Sequence, residues 1–152
     1  MLDDRGFEIF SSQYVNTDST NSYKGGRLSC GCYYGIVGYR TSGQRVIKLF
    51  SSKADITKIK TDRDIPDSMF ALSSDIPNSN HDNAYYIEYV QIHSGGTSWD
   101  YSHGCVSVLN YGLNPNGKKY EEFDRLMSFL KDNEIIIIKL SLDEGVKTFT
   151  QQ

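Results

Sequence analysis

The chain predicts a mostly β fold of the α+β class, with one main α-helix packed on a sheet. Three observations carry this. Strand-like runs of Val, Ile, Tyr and Phe recur between clusters of Gly, Asn, Ser and Asp. Tyrosine is abundant at 11 residues and proline scarce at 3, a composition that suits extended segments joined by polar turns. Only residues 119–133 show clear helical periodicity. At 152 residues the chain is predicted to be a single domain over 1–152, long enough to bury a core without covalent staples. No repeat, linker or low-complexity segment interrupts it.

In chain order, residues 7–10 (Phe-Glu-Ile-Phe) read as a short first strand. Residues 11–29 carry few large aliphatics and read as a loop or an irregular edge, with Gly25 and Gly26 free to adopt unusual backbone angles. Residues 32–39 form a strand holding Gly35 and Gly38, and glycine inside a strand often marks a bulge or the close approach of another backbone. A turn at 41–44 and an alternating strand at 45–50 complete a hairpin. Residues 51–67 read as a loop or short helix, 68–72 as a strand, and 73–84 as a loop. A strand over 85–92 ends on His93, and another runs from 105 to 109, before an Asn-, Gly- and Pro-bearing loop at 110–118. In the helix of 119–133, Tyr120, Phe123, Met127 and Leu130 recur at three- and four-residue steps, and Glu121 and Glu122 favour its first turn. Residues 134–140 hold four consecutive isoleucines, a run that predicts a central strand covered on both faces.

The charge balance, 16 basic against 19 acidic residues, gives no electrostatic reason to expect nucleic acid or an anionic membrane as partner. No apolar run approaches the length of a membrane span, and the first residues lack the basic and apolar regions of a secretory signal. Three cysteines cannot all pair internally. Cys30 and Cys32, two apart, point to one face of an extended strand and are poorly placed to bond each other.

The chemistry concentrates between residues 92 and 108. This stretch holds two of the three histidines, one cysteine and the only tryptophan. A thiol attacks acyl carbon as the thiolate, and a neighbouring imidazole generates it. Cys105 is the candidate nucleophile. His93, at a strand end on rigid scaffold, is the candidate base, and His103 is a group lining the site. Gly95 and Gly96 allow the chain to fold back between them, and backbone N–H groups at Gly104 and Cys105 suit an oxyanion hole. Trp99 and Tyr101 either line the cleft or pack the loop onto the sheet. His81 reads as solvated surface.

Ser102-His103-Gly104-Cys105-Val106, preceded by His93-Ser94-Gly95-Gly96, resembles the active-site signature of the L,D-transpeptidase (YkuD-like) family. Gly31-Cys32-Tyr33-Tyr34-Gly35 is similar to that family's Gly-x-Tyr strand. The resemblance implies a β-sandwich or barrel-like domain and a cysteine acyl-enzyme acting on peptidoglycan stem peptides, without a cofactor or metal. It implies Cys105 as nucleophile, His93 as base, the Ser94 carbonyl orienting that base, and Gly104 in the oxyanion hole. Ser102, His103, Tyr34, Trp99 and Ser107 would face substrate. The loop from His93 to Cys105 is shorter than the family's usual one. Ser107 stands where an arginine or asparagine is usual, which leaves transpeptidase or carboxypeptidase outcome open. The short loop is similar to that of small phage and secretion-effector members, for which the site of action is the periplasm or cell wall and a cognate inhibitor or immunity protein is a natural partner.

Two other readings come from different classes. One is a zinc site drawn from His81, His93, His103, Cys30, Cys32 and Cys105, although the chain has no Cys-x-x-Cys or His-x-x-x-His pair. The other is a peptidoglycan- or protein-binding module that kept the fold without the activity.

Overall fold

A computed structural model describes residues 1–3, 5–11, 15–16, 26–40, 42–57, 71–79, 82–94, 106–108 and 121–141. Among these are eight strands and two short helices, so the mostly β, α+β class holds. The strands are β1 (Val15–Asn16), β2 (Gly31–Tyr39), β3 (Arg45–Phe50), β4 (Leu72–Asn78), β5 (Ala84–Ile87), β6 (Gln91–Ser94), β7 (Val106–Val108) and β8 (Ile135–Leu140). The helices are α1 (Lys53–Thr57) and α2 (Glu122–Ser128). Six strands form one sheet in the order β1-β7-β6-β3-β2-β8, and β4 pairs with β5 in a separate ribbon. The large sheet is antiparallel except for one parallel pair, β6 with β7.

The hairpin of β2 and β3 is the frame. Its register runs from Tyr34 opposite Phe50 to Tyr39 opposite Arg45, and the turn is closed by the Arg40 N–H donating to the Gln44 carbonyl at 2.8 Å. β3 lies between β2 and β6, and Val46, Ile47, Leu49 and Phe50 are all buried, so both of its faces are covered. On one face, Ile47, Leu49, Val37 and Ile136 join Ile92, Val106 and Val108 in the main core, against Phe123, Leu126 and Met127 of α2. Burying such side chains contributes about 1.5–3 kcal/mol each. On the other face, Phe50 and Ile56 of α1 form a small cluster with Tyr34, Ile36 and Ile135.

Gly35 explains how β2 and β3 pack so closely. A Cβ at Gly35 would lie 2.7 Å from Ile47 Cγ2, inside contact distance, and 3.4 Å from Leu49 Cδ2, in ordinary contact. What crowds this strand glycine is side chains, not the second backbone expected from the sequence. Gly35→Ala is expected to cost about 1–3 kcal/mol through overpacking. A lowered urea midpoint with unchanged slope in equilibrium unfolding checks this.

Several elements differ from the sequence reading. Residues 7–10 do not form a named strand. They fold back on the first residues through an isolated bridge between Leu2 and Glu8, and the Asp3 carboxylate accepts the N–H groups of Arg5 and Phe7. The loop predicted at 73–84 is largely strand β4. Its polar side chains satisfy their own surroundings: Ser74 Oγ accepts the Arg27 N–H at 2.9 Å, and Asn78 Nδ2 donates to the Tyr86 carbonyl at 3.0 Å. Pro77 is tolerated because β4 belongs to a two-stranded ribbon with a register shift. The strand predicted over 85–92 is two strands in two sheets, divided at Tyr89, where φ is 54°.

The predicted helix of 119–133 is shorter, spanning Glu122–Ser128 among the described residues. Phe129 and Leu130 N–H groups turn to the Leu126 and Met127 carbonyls, and Arg45 donates to the carbonyls of Met127 and Leu130 at 2.9 and 2.7 Å. The helix end is thus closed by a guanidinium from β3. β8 is also not central. It is the last strand of the sheet, and its outer edge is met by Leu2, whose N–H donates to the Ile137 carbonyl at 2.7 Å. Only Ile136, Ile138 and Leu140 of its run are buried, an alternating pattern rather than a continuous one. The sequence cannot tell this apart from a doubly covered strand, because isoleucine serves at half-covered positions as well.

The sheet curls. Val106 and Val108 of β7, second in the strand order, and Ile138 and Leu140 of β8, at its other end, line one cavity of about 150 Å³ with Phe10, Ile92 and Leu126. Among the described residues no helix is long and apolar enough to cross a membrane. The predicted loops at 58–67 and 110–118, and the predicted strand residues 68–70, lie outside the described residues.

Candidate functional site

β6 is a four-residue strand, Gln91-Ile92-His93-Ser94, held on both sides. Ile92 faces Ile47 of β3 and Val106 of β7, and His93 faces Ser107 in the parallel register. Side chains alternate across a strand, so Ile92 enters the core beside α2 while His93 and Gln91 point to the opposite face. His93 is one of three buried polar residues among those described, at 7 % exposure. The cavity described above lies on the core side and is therefore not the setting of His93.

The His93 ring is fixed by a hydrogen bond to its own neighbour. Nδ1 lies 2.9 Å from the Ser94 carbonyl oxygen. A carbonyl only accepts, so this contact requires the proton on Nδ1 and leaves the Nε2 lone pair as the basic site. Burial holds the imidazole pKa below its ordinary value, the Ser94 carbonyl partly opposes this by stabilising the N–H, and the positive charge of Arg40 lowers it further. The result is a neutral, oriented imidazole at pH 7.

Arg40 reaches this face from the end of the β2–β3 hairpin. Its Nε donates to Gln91 Oε1 at 2.6 Å and its Nη1 to Gln44 Oε1 at 3.1 Å. Gln91 is two residues before His93 on the same strand face, so the guanidinium is anchored next to the imidazole. The motif-based reading passed over both residues. The alternation of β6 signals Gln91, whereas the reach of Arg40 depends on the hairpin register.

The lowered His93 pKa has a consequence for stability. The unfolded imidazole titrates near 6.5 and the folded one below that. As pH falls through that interval the unfolded chain binds the proton first, so the folded state loses stability. The contribution is complete above about 6.5. Urea midpoints are expected to decline below that pH in the wild type, and His93→Gln is expected to flatten this part of the profile.

Of the other sequence-derived positions, Tyr34 is half-buried in the cluster of Phe50 and Ile56. It lies two strands over from β6 and about four residues along, roughly 16 Å from His93 by the strand spacings. The fold does not bring it to the imidazole. Ser107 faces His93 by register. Cys30 and Cys32 are exposed at the start of β2, away from His93. Cys105, Gly104, His103, Ser102, Tyr101, Trp99, Gly95, Gly96 and His81 lie outside the described residues. Among the described residues no three His, Cys, Asp or Glu side chains gather to hold a metal ion. No protein-family model, curated protein or solved structure matches this chain.

Proposed function

We propose that this protein is a cysteine-dependent acyl transferase or hydrolase of the L,D-transpeptidase (YkuD-like) type, acting on peptidoglycan stem peptides, with Cys105 as nucleophile and His93 as base. The observation that carries the reading is the His93 geometry. A buried, neutral imidazole whose Nδ1 is held by the Ser94 carbonyl presents Nε2 as a proton acceptor. A histidine in that state suits thiol activation.

Chain connectivity supports the partnership. Cys105 is bonded to Val106, and Val106 pairs with Ile92, the residue before His93. Two peptide links and one strand spacing bound the separation of the two Cα atoms at about 12 Å. Gly104 and the Cys105 N–H would serve the oxyanion hole, and Ser102, His103, Trp99 and Ser107 would border the substrate. The β-sandwich or barrel-like fold of the family belongs to the same proposal, and the curl of the six-stranded sheet is compatible with it.

The reaction runs in two acyl transfers. His93 Nε2 takes the thiol proton, and sulfur bonds to the carbonyl carbon of a diamino-acid–D-alanine linkage. The C–N bond breaks, and the imidazolium returns its proton to the leaving amine. A second amine, or water, then attacks the thioester, giving a cross-link or a shortened peptide and restoring the thiol. Incubation with disaccharide tetrapeptides followed by mass analysis tests this. Loss of terminal D-alanine or a new cross-link, dependent on Cys105, supports it, and unchanged peptide refutes it.

A further inference from the structure

Five arginines lie among the described residues: Arg5, Arg27, Arg40, Arg45 and Arg125. Four pair with carboxylates, namely Asp3, Asp75, Asp132 and Glu122. Arg40 differs. Among the described residues its guanidinium is held by two neutral side-chain amides, Gln91 at 2.6 Å and Gln44 at 3.1 Å, and by no carboxylate. It is half-buried, so its charge is partly removed from water without a counter-ion from those residues. Water solvates the exposed part of the guanidinium, and a carboxylate can replace that water as a charge-assisted partner.

The two amides also fix where the guanidinium sits. Nε and Nη1 are directed at Gln91 and Gln44, which locks the plane of the fork, and the remaining N–H donors of a guanidinium suit a planar carboxylate. Gln91 shares its strand face with His93, so the cation stands beside the imidazole, close enough to act on its charge. A cation fixed by neutral acceptors beside a candidate base is built to receive the negative end of whatever that base acts on.

We propose that Arg40 recognises the free carboxylate of the substrate at the His93 site, selecting peptides that end in a carboxylate over blocked ones. This rests on the acyl-transfer reading. Gln91 and Gln44 act as positioning residues that hold the guanidinium, and Arg40 is the residue that touches the ligand.

Binding rather than turnover provides the test, so that it stands apart from the reaction. Cys105→Ala protein is titrated calorimetrically with a short acyl-peptide ending in D-alanine, as the free acid and as the carboxamide. The free acid is expected to bind about tenfold more tightly or better, as one charge-assisted bidentate pair allows. Arg40→Gln in the same background should bring the ratio close to one, and Arg40→Lys should keep part of the preference, because the charge persists without the fork. Equal binding of acid and amide by the Arg40 protein overturns the proposal whether or not the variants fold. So does binding of neither peptide, or a preference that survives Arg40→Gln. If discrimination persists while the protein with Cys105 intact turns over no peptide, the acyl-transfer reading fails and carboxylate recognition by Arg40 stands.

Discussion

Replacing Cys105 by alanine is expected to lower peptide turnover by on the order of 10³-fold or more, because no other group at the proposed site can form the thioester. Single-turnover kinetics on a disaccharide tetrapeptide would measure it. The loss should fall on kcat, with substrate binding little changed, since sulfur contributes mainly to the bond made in the transition state. Cys30→Ser and Cys32→Ser serve as controls. Both side chains are exposed at the far end of β2, and neither change should reduce turnover. Activity that followed those two cysteines instead would move the chemistry away from β6.

His93→Gln is expected to lower kcat/KM by about 10²–10⁴-fold, the usual contribution of a positioned general base. Glutamine can keep a hydrogen bond to the Ser94 carbonyl through its amide N–H, and so preserves the local packing better than alanine. What it lacks is a basic nitrogen. The distinguishing measurement is the pH profile. In the wild type, burial and the nearby Arg40 charge displace the acid limb of kcat/KM below the ordinary histidine value of 6.5. In His93→Gln that limb should vanish. A variant that kept the acid limb at the same position would show that another group titrates in it.

Much of the framework was legible in the sequence because it rests on local patterns. The β2–β3 hairpin follows from an alternating run, a Gly-bearing turn and a second alternating run, and its register places Tyr39 opposite Arg45 as such a turn requires. The placement of His93 in a strand was legible for the same reason. The division of the predicted 85–92 strand was not foreseen, although the chain carries the signal. Ile87 is buried at an odd position, whereas Val90 and Ile92 are buried at even ones, and a one-residue change of phase means that the strand is broken. The left-handed backbone at Tyr89 is that break. β4 escaped detection because its residues are typical of turns, and its stability comes from Leu28, Arg27 and Tyr86, which are distant in sequence.

At the site, motif reasoning found His93 and Ser94 because their relation is local: the imidazole bonds to the next carbonyl along the chain. It overlooked Arg40 because that side chain arrives from a residue 51 positions before Gln91. It associated Tyr34 with substrate because of a short Gly-x-Tyr likeness; the fold packs that tyrosine against Phe50 and Ile56, on the same sheet face as His93 but two strands over.

The central claim is that Cys105 is an acyl-accepting thiol activated by His93, and acylation by a carbapenem with intact-mass detection tests it most directly. The account predicts a single adduct, located on Cys105 by peptide mapping, absent in Cys105→Ala and formed far more slowly in His93→Gln. Wild-type protein that remains unacylated, or that carries its adduct on Cys30 or Cys32 with Cys105 unmodified, would contradict it.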